Sequence, residues 1–360
     1  MSASFDQQPL FGGGTDGYAC YRIPSLLVAG NGDILAFCEG RRDSSSDSGQ
    51  IDLLCKRSSD HGRTWSPQIV ILTEPDMTCG NPCPVLISET GEIIMTLCKN
   101  PAAGGEGLIK EGKAPRTVWT MRSADHGRTW SAAEDITAQA KKNCWTWYAT
   151  GPGHGIQLAS GRLIIPCDHN VGLHLAQDDR YGSHLIYSDD KGRSWHIGAI
   201  LSLPGNECCV LQCDDGSLYL NSRTRTAIGV RSWGRSRDDG LSFIEEGLHS
   251  GLVEPRRFQG GCQGSLLKAP VPDGEGSWML FCNPATDEEV RRRLAIRVSK
   301  DQGRTWSDGT VICDGPSAYS DMAMVDGEVL CLYEQGERQY NERITLARAP
   351  LAAITGKGAA

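Results

Sequence analysis

No apolar run in these 360 residues approaches the roughly 20 that a membrane-crossing helix needs. That excludes a helical membrane span. Positive charge is not in excess either: the formal net charge of −8 argues against nucleic acid or an anionic membrane as partner. The first eight residues lack the basic and apolar regions of a secretory signal, so a cytoplasmic protein is expected. Helical periodicity is weak. Its best candidate is residues 132–142, and 104–112 reads only as a loop. Linkers and low-complexity stretches are missing as well, which predicts one domain over residues 1–360 with its core at about 10–352.

Zinc-ligand spacing is another absence, although the chain holds 15 cysteines. The number is odd, and Cys38, Cys55, Cys98, Cys167, Cys282 and Cys331 fall inside apolar runs. This predicts buried, reduced thiols that fill the core rather than a disulfide framework.

What the chain does have is a recurring octapeptide, Ser-x-Asp-x-Gly-x-Thr-Trp. Copies start at Ser58, Ser123, Ser188 and Ser299, and a degraded one at Ser236 ends in Phe243. Ser and Asp side chains bond nearby backbone N–H groups, Gly supplies positive φ, and Trp covers the turn with apolar area. Strand-like runs at 51–55, 117–121, 184–187, 228–231 and 294–298 precede the copies, so each box is read as a hairpin turn within a repeat. An active site is needed once and the box recurs, so its Asp residues are folding units. Short strands, hairpins and a repeat of blade length predict an all-β chain, a six-bladed β-propeller.

In such a fold a site collects single residues from distant repeats. Three arginines draw notice: Arg22 in Tyr21-Arg22-Ile23-Pro24, Arg223 after Asn221-Ser222, and Arg291 at the head of Arg291-Arg292-Arg293. Each alone is an ordinary surface residue. Read in order with the boxes, however, they form a pattern. Tyr21-Arg22-Ile23-Pro24, Phe37-Cys38-Glu39-Gly40-Arg41, Asn81-Pro82-Cys83-Pro84, Gly151-Pro152-Gly153-His154-Gly155, Asn206-Glu207-Cys208 and Ser317-Ala318-Tyr319-Ser320-Asp321 resemble the exo-α-sialidases. The match runs from about Tyr18 to Leu351, closest in motif style to cytosolic animal and bacterial members.

The resemblance implies hydrolysis of terminal sialic acids on glycoproteins, glycolipids and oligosaccharides, with no metal or organic cofactor. Arg22, Arg223 and Arg291 would grip the sugar's carboxylate with planar, partly bidentate forks that lysine does not offer. Arg291 is chosen over Arg292 and Arg293 by its place three residues before Leu294; strand alternation would put Arg291 and Arg293 on one face. Tyr319 would be the nucleophile, as in this family, since a carboxylate would be repelled by the substrate's own charge. Glu207 would take its proton, with the arginines favouring phenolate. The general acid would come from the Ser- and Gly-rich loop 43–49, with Asp47 ahead of Asp43. Arg41 would contact the C4 side of the sugar, and Glu334 would orient Arg22. The alternative, a trans-sialidase or an intramolecular trans-sialidase, would use the same residues.

Overall fold

The computed structural model describes residues 5–172, 180–225, 228–256, 260–272 and 274–356. Short antiparallel strands, joined by Gly- and Asp-rich turns, make the fold all-β. Among the described residues they form four hydrogen-bonded sheets. The first meanders through Cys20–Val28, Ile34–Arg41 and Ile51–Ser58. A single parallel bridge from Ile51 to Thr78 carries it into Met77–Leu86, Ile93–Pro101 and Thr117–Ser123. Two independent meanders follow, one between Trp145–Thr150 and His196–Ile200, the other between Cys208–Gln212 and Glu245–Val253. The last runs from Ser265–Pro270 to Arg343–Pro350 and takes in Asp6–Gly12 from the opposite end of the sequence.

Six blades predict six sheets, and the hydrogen bonds give four. Besides the Ile51–Thr78 bridge, the cause is the 16-residue strand Thr310–Val325. Its first half pairs with Arg292–Ser299 and its second half with Glu328–Gln335, joining two meanders into one sheet. Apolar side chains of successive meanders pack face to face: Ile164 and Leu185 of one meet Val210 and Leu218 of the next. All 15 cysteines are free thiols, and 13 of them are buried in or beside these layers.

Local expectations differ at three places. The segment 104–112 carries a short helix, Glu106–Lys110, too brief to leave a periodic signal. In 132–142 only Thr137–Ala140 is helical, after a two-residue strand, Glu134–Asp135. The strand expected at 228–231 is Val230–Ser236.

The repeated octapeptides adopt one hydrogen-bonded geometry. In the second copy, Ser123 Oγ accepts from Gly127 N at 2.8 Å and donates to Asp125 Oδ1 at 2.9 Å. Asp125 in turn accepts from Arg128 N, Thr129 N and the Thr129 hydroxyl. The degraded copy keeps the same bonds through Ser236, Asp238, Gly240 and Ser242. The box glycines also mark where one repeat seats on the one before. A Cβ added to Gly127 would stand 2.7 Å from Leu35, and one on Gly192 2.3 Å from Ile94. Gly62 of the first copy faces Leu330 and Leu346, in the sheet formed by the chain's last strands.

Candidate active site

Arg22 lies on the strand Cys20–Val28 just before a bulge, where Ile23 takes φ +58 and the register against Ile34–Arg41 shifts. A β-branched residue rarely adopts that conformation; here it re-aims Arg22 toward the end of the meander. The carboxylate of Glu334 receives Arg22 Nε at 2.9 Å, Arg22 Nη2 at 3.1 Å and the Ile23 amide at 3.0 Å. Arg22 and Glu334 are both buried, so neither charge is stranded.

Tyr319 stands in the second half of Thr310–Val325, and its hydroxyl makes a short hydrogen bond to Glu207 Oε1. Arg223 Nη1 donates to the other oxygen of Glu207 at 2.7 Å and to the Tyr319 hydroxyl at 3.3 Å. The Arg22 and Arg291 guanidiniums lie 5.0 and 5.4 Å from the centre of the Tyr319 ring. Arg41 and Asp47 complete this side: Arg41 Nη1 meets Asp47 Oδ1 at 2.7 Å, and Arg22 Nη1 meets it at 3.3 Å. Asp43 is exposed and does not line the cleft.

Arg291 and Arg293 do not share a face. Arg293 sits at φ +57, where the register with Thr310–Val325 slips. Its guanidinium turns to Asp314, as does that of Arg292. Arg291 alone of the three faces the cleft.

Charge in the cleft is set by burial against guanidinium. Burial pushes the Tyr319 phenol well above its ordinary value and Glu207 adds to that, outweighing Arg223, Arg291 and Arg22. The resting tyrosine is therefore protonated; the arginines do favour phenolate, as expected, but not by enough to offset burial and Glu207. Burial alone would raise Glu207, yet Arg223, the Tyr319 hydroxyl and Arg291 hold it below the usual carboxylate range. Asp47, on a largely exposed side chain, is desolvated mainly by the cleft around its carboxyl group, and Arg41 and then Arg22 outweigh that to keep it at about 2. Both carboxyl groups are ionised in the free protein.

Several cleft residues were not anticipated. Glu39 receives Arg41 Nε and Nη2 at 3.0 and 2.7 Å and the Asn81 amide at 2.8 Å. It serves Arg41 as Glu334 serves Arg22, and its place two residues from Arg41 on one strand was the available signal. Arg116 lies over Trp147 and bonds Asn81 and Asn100. Glu106, from the short helix, pairs with Arg225 at 3.2 Å and receives the Tyr181 hydroxyl. Asp168, in the middle of an apolar strand, accepts Asn206 Nδ2 at 2.9 Å, and burial drives its carboxyl well above the usual range. Among the described residues, no three His, Cys, Asp or Glu side chains are grouped to hold a metal ion.

A profile of the BNR repeat-like domain matches residues 32–331. Sialidase-3 of Rattus norvegicus is 31% identical over 378 aligned residues, which cover 90% of this chain and 89% of that protein. Among solved structures, the Hadza microbial sialidase Hz136 superposes with a TM-score of 0.83 at 28% identity, covering 97% of this chain and 69% of that one. An intramolecular trans-sialidase from Ruminococcus gnavus has the same fold, with a TM-score of 0.80 at 18% identity over 97% of this chain and 98% of that one.

Proposed function

The chain belongs to the exo-α-sialidase family of glycoside hydrolases, and from that premise we propose that it removes terminal sialic acids with retention, through a covalent intermediate on Tyr319. The observation that carries this reading is the hydrogen-bonded set of Tyr319, Glu207 and Arg223 beside Arg22 and Arg291. Arg22, Arg223 and Arg291 hold the substrate's carboxylate, Arg41 meets the C4 side, and Glu334 fixes Arg22. The substrates are sialylated glycoproteins, glycolipids and oligosaccharides.

In the first step Glu207 takes the phenolic proton as Tyr319 Oη bonds to the anomeric carbon. The glycosidic C–O bond breaks, and its oxygen leaves with a proton from Asp47. In the second step the Asp47 carboxylate accepts a proton from water, which attacks the anomeric carbon. Tyr319 departs and recovers its proton from Glu207. The substrate tunes both carboxyl groups. Its own carboxylate neutralises the arginines, so Asp47 is released from their field and becomes protonable, while Glu207 becomes a better base. Both shifts arise only once the correct anion is bound.

For the fold, the reading is one domain of six four-stranded units arranged as a propeller. The five boxes and the seating of Gly62 on Leu330 and Leu346 support a ring in which the last unit adjoins the first. A cytoplasmic location is the companion proposal.

The likeness to the R. gnavus enzyme supports a second reading, in which a sugar hydroxyl rather than water takes the intermediate. Release from an aryl α-sialoside, with and without lactose, distinguishes the two. Free sialic acid as the main product supports hydrolysis, and sialyl-lactose supports transfer. No turnover at all would falsify both readings. Tyr319→Phe is expected to abolish turnover while the protein stays folded; an unimpaired variant removes Tyr319 from the chemistry.

A further inference from the structure

A second groove opens beside the cleft, and its lining differs in kind. It shares Arg291 and Tyr340 with the cleft and reaches Ser45 on the loop that carries Asp47. Tyr340 forms the wall between them, with the Arg22 and Arg291 guanidiniums each 5.4 Å from its ring centre. The loop is tied down because Arg41 Nη1 donates to the Ser45 carbonyl at 2.7 Å. Beyond Tyr340 the groove is lined by Arg292, Arg338, Gln339 and Asn341. No carboxylate is among its described lining residues, although the chain as a whole carries a net charge of −8. Arg292 also pairs with Asp314 and Glu288 at 3.7 and 3.8 Å, exposed contacts that an incoming anion would have to share.

The direction of the groove follows from Asp47. If Asp47 gives its proton to the glycosidic oxygen, the leaving group lies on the Asp47 side of the sialic acid, and this is the side on which the groove begins. We infer that the groove is a leaving-group subsite for a sugar bearing an anion, with Arg338 and Arg292 supplying the charge and Gln339 and Asn341 the hydroxyl contacts. This rests on the sialidase reading above and adds the class of substrate it favours. The anion has two natural sources: the carboxylate of a second sialic acid, as in α2→8-linked disialyl chains, or a sulfate ester on galactose. Exposed charge pairs of this kind contribute roughly 0.2–1 kcal/mol each, which corresponds to about 1.5- to 5-fold in rate per arginine.

The test compares kcat/KM for α2→8 disialyl-lactose, sialyl-lactose with a sulfated galactose, and plain sialyl-lactose at low ionic strength. A preference of about 3- to 10-fold for the anionic leaving groups is expected, shrinking in 0.5 M salt at roughly the rate that screening dictates. Preference for both anionic substrates assigns the groove to anions in general, and preference for the disialyl chain alone assigns it to a second sialic acid. Arg338→Gln and Arg292→Gln should each reduce the preference while an aryl sialoside, which has no leaving-group sugar, is cleaved within about twofold of wild type. Equal kcat/KM for neutral and anionic leaving groups overturns the inference, as does a variant that slows all substrates alike. Failure to cleave any sialoside, by contrast, refutes the sialidase reading itself.

Discussion

Replacing Asp47 by Asn separates the two demands placed on that residue. In the free protein its carboxylate accepts from Arg41 at 2.7 Å and Arg22 at 3.3 Å, on a side chain that is 62% exposed. Those arginines hold it at about 2, so on the proposed reading it competes with the substrate's carboxylate for Arg22. Asn lacks the charge and cannot deliver a proton. With lactose as leaving group, the departing alkoxide needs that proton, and general acid catalysis contributes typically ~10²–10⁴-fold, or about 2.7–5.5 kcal/mol of barrier. With a nitrophenyl leaving group the departing phenolate is stable unaided. Asp47→Asn should therefore lower kcat/KM for sialyl-lactose by roughly 10²–10⁴-fold and leave that for the aryl sialoside within about tenfold of wild type. The second step also loses its base, so the aryl substrate should give a burst of one phenolate per protein before a slow steady state. KM should fall, since Arg22 and Arg41 are freed. Stopped-flow and steady-state assays on both substrates measure these quantities. Equal loss on the two leaving groups, or an equal effect of Asp43→Asn, would refute the assignment.

Three further outcomes follow from the same geometry. Glu334→Gln removes the buried, two-point counter-charge of Arg22 and leaves it only the exposed Asp47 at 3.3 Å, a change that costs up to about 3–5 kcal/mol in buried pairs; thermal melting should drop by several degrees and KM should rise, and an unchanged melt with unchanged KM would contradict the role given to Glu334. Ser123→Ala strands the buried Gly127 amide, which is expected to cost about 1–3 kcal/mol by urea unfolding, with kcat/KM unaltered because the box lies outside the cleft. Burial lowers His169 to about 3, His249 to about 4 and His184 well below the ordinary histidine value. The folded state thus binds fewer protons than the unfolded chain. Their contribution is full above the unfolded value near ~6.5 and is lost as pH falls below it, by at most about 2 kcal/mol per histidine at pH ~5. Equal urea midpoints at pH 7.5 and pH 5 would count against this.

Residues whose meaning is local were legible before the structure. The box turns depend on four side chains within eight residues, and Arg22, Arg223, Glu207, Tyr319 and Glu334 stand in short motifs that keep their order. Where reasoning along one strand was needed, it failed at the bulges. Alternation paired Arg291 with Arg293 because nothing in Arg-Arg-Arg announces that the third adopts φ +57. The single-turn helix that presents Glu106 is shorter than the period by which helices are recognised. Contacts between repeats were illegible altogether: Arg116 meets Asn81 from 35 residues away and Asp168 meets Asn206 from 38, and no spacing rule connects them. The joining of meanders into shared sheets was illegible for the same reason, since it depends on how far Thr310–Val325 extends.

The pairing of Asp6–Gly12 with Arg343–Pro350 and of Arg22 with Glu334, 312 residues later, also has a consequence in time. A ribosome adding roughly 5–20 residues per second needs on the order of 15 to 60 s between those two residues. Throughout that interval Asp6–Gly12 lacks its partner strand and Arg22 its buried carboxylate. If Arg22 holds the substrate's anion as proposed, that site is complete only once Glu334 has been made. The same interval is when an unpaired strand invites the wrong partner, which makes the emerging first repeat the natural client of a chaperone.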